Sequence, residues 1–408
     1  MNPKPPNPLK LQTIPRVKHL QLPKIRKPNS QSRASRMAGR SFATMPLIID
    51  SHQDIAWNML TYGRDYTRSV QVTRRLEAGT TTPERNGDCL VGWPEYQRGQ
   101  VAVVFATLFA TPAKWKEMGD AVVYADYETA HRLYRDQITV YRKLTDSQPD
   151  KFRLVFSTKE LDSVIEHWSK PARDEEGHPV GLVYLMEGAD GIRSPRELGE
   201  WYELGLRIVG LAWAGTRYCG GTSEPGPLTE EGRKLISAMA DYNFILDLSH
   251  MDEAAALESL DRYEGPVMAT HANCAALMRG STTNRHLSDT VIRGLIEREG
   301  VIGLIPLNTF LKVGWLRKNG SRREEVSLDA FIAHIDHICQ LAGNANHAGI
   351  GSDFDGGFGL QSIPPELDTI ADLQIVSSRL IALGYSEADA ANILGGNWLR
   401  FLQKHLPA

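Results

Sequence analysis

Short apolar runs recur along the chain from residue 46 onward, and segments with helical patterning separate them. Eight runs are rich in Val, Ile, Leu and Phe, and they occupy residues 47–50, 101–109, 181–187, 206–213, 244–250, 266–271, 301–306 and 347–354. Near-continuous apolar runs of this length are typical of strands that are buried on both faces of a parallel sheet. The pattern therefore predicts eight parallel strands.

The segments between these runs carry helix signals. Apolar residues at spacings of three and four predict helices within 228–243, 251–263, 287–300 and 326–343, and two more are predicted around 368–383 and 386–403. Thr229 is a typical N-cap residue, and Gly343 is a typical residue just after a helix. Strands and helices therefore alternate along most of the chain.

This alternation predicts an α/β fold, namely a (β/α)8 barrel of the TIM type with insertions. The alternative is an open doubly wound sheet, which would carry a glycine-rich fingerprint after its first strand. No such fingerprint follows 47–50. The first connection, 55–100, is long and polar, so we expect it to cross the mouth of the barrel.

The first 45 residues differ from the rest of the chain. They are rich in Lys, Arg, Pro and Ser and contain no Asp or Glu. They lack the apolar core of a signal peptide, and their prolines oppose an amphipathic helix. We therefore predict a disordered, basic, Pro-rich extension over 1–45, followed by one folded domain over 46–408.

Composition excludes several classes of protein. The net charge of −3 over 408 residues provides no basic field, so we expect no nucleic-acid partner. No apolar run approaches the roughly 18 residues of a membrane-spanning helix, so we expect no membrane association. Cys89, Cys219, Cys274 and Cys339 lie far apart, which favours reduced, buried thiols and a cytoplasmic protein.

Six side chains that commonly bind metals directly follow the apolar runs. They are His52 and Asp54 after the first run, Glu187 after the third, His250 after the fifth, His271 after the sixth and Asp353 after the eighth. A single histidine at a strand end is usually a capping or core residue. In a barrel, however, the carboxyl ends of all strands meet at one mouth, where active sites lie. We therefore expect these six side chains to face each other.

Imidazole and carboxylate ligands suit zinc or a similar divalent ion, and manganese and cobalt remain open. Five ligands exceed the four of a closed structural site, which favours a pair of metal ions. Two ions that share one carboxylate would lie roughly 3.5 Å apart and hold a hydroxide that is nucleophilic at neutral pH. A sixth carboxylate could then move protons.

Seven motifs carry a family resemblance. They are DSHQDIAWN (50–58), LMEGAD (185–190), LDLSHMD (246–252), ATHANCAAL (269–277), NRHLSD (284–289), GIGSDFDG (349–356) and ILGGNWLRF (393–401). In this order and spacing, the chain resembles the renal, or membrane, dipeptidases of peptidase family M19, which are amidohydrolase-like barrels. The resemblance implies a zinc metallopeptidase domain over 46–408 that acts on small dipeptides, and it leaves a homodimer open.

The resemblance also implies roles for the metal ligands. His52 and Asp54 would bind one zinc ion, and His250 and His271 would bind the second. Glu187 would bridge the two ions and would take part in catalysis through them. This is the same set of residues that the strand ends indicate without the resemblance.

Three further positions bear on catalysis and substrate binding. By resemblance, Arg285 would fix the carboxylate of the substrate, and Asp353 would pass a proton to the leaving amine. Trp213 stands where the renal enzymes have a histidine, and indole cannot accept a proton. Trp213 is therefore a pocket wall or a subgroup variation, with Tyr218 or Arg217 as an alternative hydrogen-bond donor. This departure keeps a second function open, the hydrolysis of another amide or a lactone, for example an N-acyl amino acid.

Overall fold

The structure is a computed structural model that describes residues 45–117, 120–171 and 177–408. The predicted extension over 1–45 lies outside the described residues, except for residue 45 itself, so its disorder stays a prediction.

Eight parallel strands form the barrel, and we number them in chain order. They are β1 (Ile48–Gln53), β2 (Val101–Phe109), β3 (Val180–Glu187), β4 (Leu206–Gly210), β5 (Ile245–Asp247), β6 (Val267–Met268), β7 (Ile302–Leu304) and β8 (Ala348–Ile350). Their pairing order is β6-β5-β4-β3-β2-β1-β8-β7, and a parallel bridge between Ala269 and Ile302 joins β6 to β7. The predicted (β/α)8 fold and its eight strands are confirmed.

Short strands outside the ring extend this architecture. Phe152–Leu154 pairs in parallel with β3, and Thr111–Pro112 pairs in parallel with Val123–Tyr124. Cys219–Gly221 and Glu224–Leu228 form an antiparallel hairpin after β4. This hairpin reaches the barrel mouth, because its turn residues border the cavity described below.

Helices follow the strands in the expected alternation. They are α1 (Ile55–Tyr62), α2 (Val70–Glu77), α3 (Thr82–Arg85), α4 (Trp93–Gly99), α5 (Tyr127–Ser147), α6 (Thr158–Trp168), α7 (Leu198–Glu203), α8 (Glu230–Asp241), α9 (Glu253–Arg262), α10 (Asp289–Glu297), α11 (Leu328–Ala342), α12 (Ile375–Leu383), α13 (Glu387–Ala391) and α14 (Asn397–His405). The Thr229 side chain caps α8 by accepting a hydrogen bond from the Gly232 amide. Gly343 ends α11 with a φ of 71°. The six predicted helices are present, although the last is divided by a π-helical turn between α13 and α14.

Close packing in the barrel interior depends on two glycines. A Cβ atom at either Gly303 or Gly351 would lie 2.0 Å from the Thr270 carbonyl oxygen. The same carbonyl oxygen and that of Ile350 share the single proton of the Ser51 hydroxyl, which lies within hydrogen-bond distance of both. Larger residues at these positions would therefore separate β7 and β8 from β6 and open the ring.

The first connection, 55–100, contains four short helices and reaches the barrel mouth as expected. A buried network around Asp355, in the loop after β8, holds it there. The Asp355 carboxylate accepts hydrogen bonds from the Leu90 amide at 2.8 Å and the Tyr66 hydroxyl at 3.1 Å. It also pairs with the buried Arg64 guanidinium at 3.2 Å. The connection and the β8 loop are therefore fixed to each other.

Two predictions from composition have structural counterparts. All four cysteines are buried and none forms a disulfide, which confirms the prediction of buried free thiols. None of the helices within the described parts of the chain is long and apolar enough to span a bilayer.

Candidate metal centre

The six predicted side chains converge at the carboxyl ends of the barrel strands. His52 Nε2 lies 3.7 Å from Glu187 Oε2, 3.8 Å from Asp54 Oδ2 and 3.8 Å from Asp353 Oδ1. The imidazole of His52 is therefore surrounded by three carboxylates from three strand ends.

The other two histidines meet at the opposite oxygen of Glu187. Glu187 Oε1 lies 3.0 Å from His250 Nε2 and 3.4 Å from His271 Nε2. The two imidazole nitrogens are themselves 2.9 Å apart. Glu187 thus lies close to all three histidines, and its role as a bridging ligand stays a prediction.

Unusual backbone conformations turn two of these side chains towards the centre. His250 has a φ of 65° and Asp353 a φ of 55°, whereas non-glycine residues rarely adopt positive φ. Such conformations cost roughly 1–3 kcal/mol and persist where surrounding structure enforces them, often at functional sites.

Unpartnered buried atoms test whether a metal ion fits these residues. Both ring nitrogens of His52 and Asp54 Oδ1 are buried and have no hydrogen-bond partner. Buried polar atoms are nearly always satisfied, so such a group indicates a missing partner. Candidate ligand atoms lie within 4.8 Å of one another in two groups that share His52, one with Glu187 and His271 and one with Asp54 and Asp353. The donor set therefore fits a divalent ion that accepts nitrogen and oxygen ligands.

Two threonines orient the other two histidines. His250 Nδ1 lies 3.0 Å from Thr222 Oγ1, and His271 Nδ1 lies 2.8 Å from Thr270 Oγ1. The Thr270 hydroxyl donates its only proton to Asp247, so its oxygen accepts the proton of His271 Nδ1. This arrangement leaves Nε2 of His271 unprotonated, and that atom lies close to both Glu187 and His250. Sequence reasoning missed both threonines.

Burial dominates the electrostatics of the carboxylates. It raises the pKa of Glu187 well above its usual range, and neighbouring Asp54 and Asp353 raise it further. Burial likewise raises the pKa of Asp353 to about 8. Burial lowers the pKa of the His52 imidazole, but Glu187, Asp54 and Asp353 outweigh it and raise that pKa to about 10. The crowding of acidic groups thus makes their ionised forms unfavourable in the protein alone, and a bound cation would stabilise those forms.

The pKa values of His250 and His271 shift in the direction opposite to that of His52. Burial lowers the pKa values of His250 and His271 well below the usual range, and the positive charge of Arg285 reinforces the effect. Both imidazoles are therefore neutral at neutral pH, which is the form that binds metals.

Arg285 lies beside the centre and is only 3% exposed. Its Nη2 donates to the His271 carbonyl oxygen at 2.6 Å, whereas its Nε and Nη1 are buried without partners. Burial lowers the pKa of its guanidinium to about 10, so it remains charged at neutral pH. A buried cation with two unused donors is suited to a carboxylate, and the role of Arg285 in substrate binding stays a prediction.

A cavity of about 990 Å³ opens at the barrel mouth, and Asp54, Glu187, His250, His271, Arg285 and Asp353 all border it. Trp213 forms part of its wall, with its ring centroid 6.2 Å from that of His250. Arg217 and Tyr218 do not border it, because both side chains bond to the Ile192 carbonyl oxygen. The expectation that either one replaces the family histidine is therefore wrong.

Known proteins share this fold over most of its length. A metallo peptidase from Rhodobacter sphaeroides, solved with a phosphinate mimic of the dipeptide L-Ala-D-Ala, superposes with a TM-score of 0.68 at 24% sequence identity. The superposition covers 88% of this chain and 99% of that one. It supports the barrel architecture.

Sequence comparisons identify the family. Dipeptidase verJ of Clonostachys rogersoniana is 24% identical over 369 residues, which cover 88% of this chain and 84% of that protein. An uncharacterized protein in the pqqA 5' region of Klebsiella pneumoniae is 29% identical over 277 residues, or 65% of this chain and 94% of that protein. A family model for membrane dipeptidases matches residues 38–406. The chain therefore belongs to the membrane dipeptidases, peptidase family M19, a family of metal-dependent hydrolases.

Proposed function

We propose that the protein is a metal-dependent dipeptidase that hydrolyses the peptide bond of free dipeptides. The observation that carries the proposal is Arg285, a buried cation with two unpartnered donors beside the ligand cluster. In a dipeptide the terminal carboxylate lies one residue from the only peptide bond. An arginine this close to the cluster suits such a substrate and would not suit an internal bond of a long chain.

The proposed metal ions are two zinc ions per chain. His52 and Asp54 would hold one ion, His250 and His271 would hold the other, and Glu187 would contact both. When bound, the pair would polarise the scissile carbonyl group and supply hydroxide at neutral pH. The unpartnered nitrogens of His52 and the neutral imidazoles of the other two histidines support this assignment.

Two side chains would handle the substrate directly. Arg285 would pair with the terminal carboxylate through its free Nε and Nη1 donors, and such charge-assisted pairs fix orientation as well as supply affinity. Asp353 borders the cavity with a side chain that is 13% exposed, so a substrate can reach it. It would accept a proton during attack and donate it to the departing amine.

A dipeptide panel with a metal count tests the proposal. The purified full-length protein should contain about two metal ions per chain and cleave several L,L- or L,D-dipeptides, and a chelator should abolish cleavage. Re-addition of zinc, manganese or cobalt in separate samples would identify the ion that restores the highest rate. A metal-loaded protein that cleaves no dipeptide across the panel would refute the dipeptidase proposal.

Trp213 favours one alternative, the hydrolysis of another amide or a lactone by the same centre. The indole lines the cavity where the renal enzymes have a polar imidazole, so the substrate groups that meet it differ. Assays with N-acyl amino acids and lactones distinguish the two functions. Cleavage of those compounds without cleavage of dipeptides would establish the alternative.

A further inference from the structure

We propose that the enzyme prefers dipeptides whose N-terminal residue carries an aromatic or bulky apolar side chain, and that Trp213 determines this preference. The inference rests on the proposed dipeptidase function and adds the class of substrate to it. Three observations carry it, namely an aromatic wall, the position of Arg285 across the mouth, and the size of the cavity.

The aromatic wall consists of Trp57, Phe109 and Trp213. The ring centroids of Trp57 and Phe109 are 6.3 Å apart, and those of Phe109 and Trp213 are 5.3 Å apart. All three residues border the cavity, and the Trp213 ring lies 6.2 Å from that of His250. The three rings thus form an apolar surface that ends beside a candidate metal ligand. An aromatic side chain of the substrate could pack against these tilted rings through favourable edge-to-face or offset-stacked contacts.

Arg285 lies across the mouth from the Phe109 end of this wall, whereas Trp213 follows β4, two positions from β6. Phe109 ends β2, whereas Arg285 follows β6, and these two strands are four positions apart in a ring of eight. A dipeptide whose carboxylate pairs with Arg285 would place its C-terminal residue on the β6 side. Its peptide bond would then lie over the ligand cluster, and its N-terminal side chain would point to the aromatic wall.

The size of the cavity favours a large substrate side chain. Its volume of about 990 Å³ is at the upper end of the range for small-molecule sites, roughly 300–1,000 Å³. A dipeptide of two alanines would leave the partly exposed Trp213 ring in contact with water. An N-terminal Phe or Leu would cover the wall and remove apolar surface from water in both partners.

The test compares rates for four substrates with the metal-loaded protein. We expect kcat/KM for Phe-Ala and Leu-Ala to exceed that for Ala-Ala by about 10-fold to 100-fold, which is the discrimination that apolar pockets provide. Ala-Phe carries the same ring on the other residue, and we expect it to gain less than Phe-Ala. If the wild-type kcat/KM for Phe-Ala and Leu-Ala does not exceed that for Ala-Ala, the proposal is overturned.

Substitutions in the aromatic wall test whether Trp213 determines the substrate preference. Trp213→Ala should lower the Phe-Ala to Ala-Ala ratio by about 10-fold, and Trp213→Phe should retain most of it. The metal content and the thermal melting curve of each variant report whether the fold and the centre survive. Tyr242→Ala is the matched control, because Tyr242 is an aromatic residue that is 40% exposed and does not border the cavity. It should leave the ratio unchanged.

The outcomes separate the two proposals. Equal rates for Phe-Ala and Ala-Ala, or a ratio that survives Trp213→Ala in a folded, metal-loaded protein, would overturn the preference and leave the dipeptidase function standing. Absence of cleavage for all four substrates in the metal-loaded wild type would overturn the function and the preference together.

Discussion

The candidate metal centre has two sides that differ in how the protein holds them. On the paired side, His250 and His271, each Nδ1 atom is held by a threonine hydroxyl. On the open side, His52, Asp54 and Asp353, both nitrogens of His52 and one oxygen of Asp54 are buried without partners. Hydrogen bonds therefore orient the paired side in advance, whereas the open side depends on a cation to satisfy its polar atoms.

This difference suggests how the two sides divide their work. Neutral, oriented imidazoles on the paired side form a ready nitrogen site. The open side gathers carboxylates around one imidazole and keeps Asp353 within reach of the cavity. We therefore expect the paired side to contribute to metal affinity alone, and the open side to contribute to proton transfer through Asp353 as well as to metal binding through His52 and Asp54.

The largest expected effect comes from Glu187, which joins the two sides. Glu187→Gln keeps the size of the side chain but removes the charge that contacts all three histidines. We expect the bound metal to fall below one ion per chain. Because metal ions contribute several kcal/mol to such reactions, kcat/KM should fall by about 10³-fold. Metal analysis together with dipeptide kinetics checks both numbers, and full metal content would contradict the bridging role.

Asp353→Asn tests the open side alone. Loss of a proton-transfer group typically lowers kcat by about 10² to 10⁴-fold, and the metal content should stay near the wild-type value. Retention of metal with loss of turnover would assign Asp353 to proton transfer. Loss of metal would instead make Asp353 a ligand and remove the proposed division between the sides.

Thr270→Val tests the paired side alone. Valine keeps the shape of threonine but cannot accept the proton of His271 Nδ1, so the imidazole loses its orientation. Loss of a group that orients a ligand typically weakens metal binding by about 10-fold to 100-fold. Competition with a chelator of known affinity measures the change. Thr270→Ser retains the hydroxyl and is the matched control, so equal affinities of the two variants would contradict the orienting role.

The smallest expected effect concerns the pH dependence of folding stability, and it comes from His334, a buried histidine outside the metal centre. His334 is 1% exposed, and its Nδ1 accepts a hydrogen bond from the Cys274 amide at 3.0 Å. Burial lowers the pKa of His334 to about 3. Because the unfolded chain binds this proton near pH 6.5, the group's contribution to stability is complete above that pH. It is lost as the pH falls towards 3, by up to about 1.4 kcal/mol per pH unit.

His334→Asn isolates this contribution. The asparagine oxygen can accept from the Cys274 amide but does not titrate, so the variant should lose less stability between pH 7 and pH 5 than the wild type. Urea unfolding of both proteins across this interval measures the difference. Parallel pH profiles of the two proteins would show that His334 does not cause the acid sensitivity.

Much of this architecture could be predicted from the sequence because the signals are local. Apolar runs indicated all eight strands, and the residues just after them indicated the six side chains of the centre. Because the barrel is closed, its strand ends meet. His52 and Asp353 are 301 residues apart in the chain, yet His52 Nε2 and Asp353 Oδ1 are 3.8 Å apart. A strand-end pattern is therefore sufficient to predict which side chains meet.

The supporting contacts were not predictable because they depend on the directions of side chains. Thr222 meets His250 from the turn of a hairpin, 28 residues away. The prediction that Tyr218 or Arg217 supplies the alternative hydrogen-bond donor was wrong for the same reason. They follow Trp213 closely along the chain, but both side chains turn to the Ile192 carbonyl oxygen instead of the cavity.

The buried network around Asp355 sets limits for engineering the substrate rim. Asp355 lies two residues after Asp353, so the backbone that positions the proposed proton carrier is anchored to the first connection through Tyr66 and Leu90. Thr81 and Arg85 border the cavity in the same connection. Substitutions around α3 are therefore suited to changing substrate specificity. A deletion that shifts Leu90 would instead change both the shape of the cavity rim and the position of Asp353.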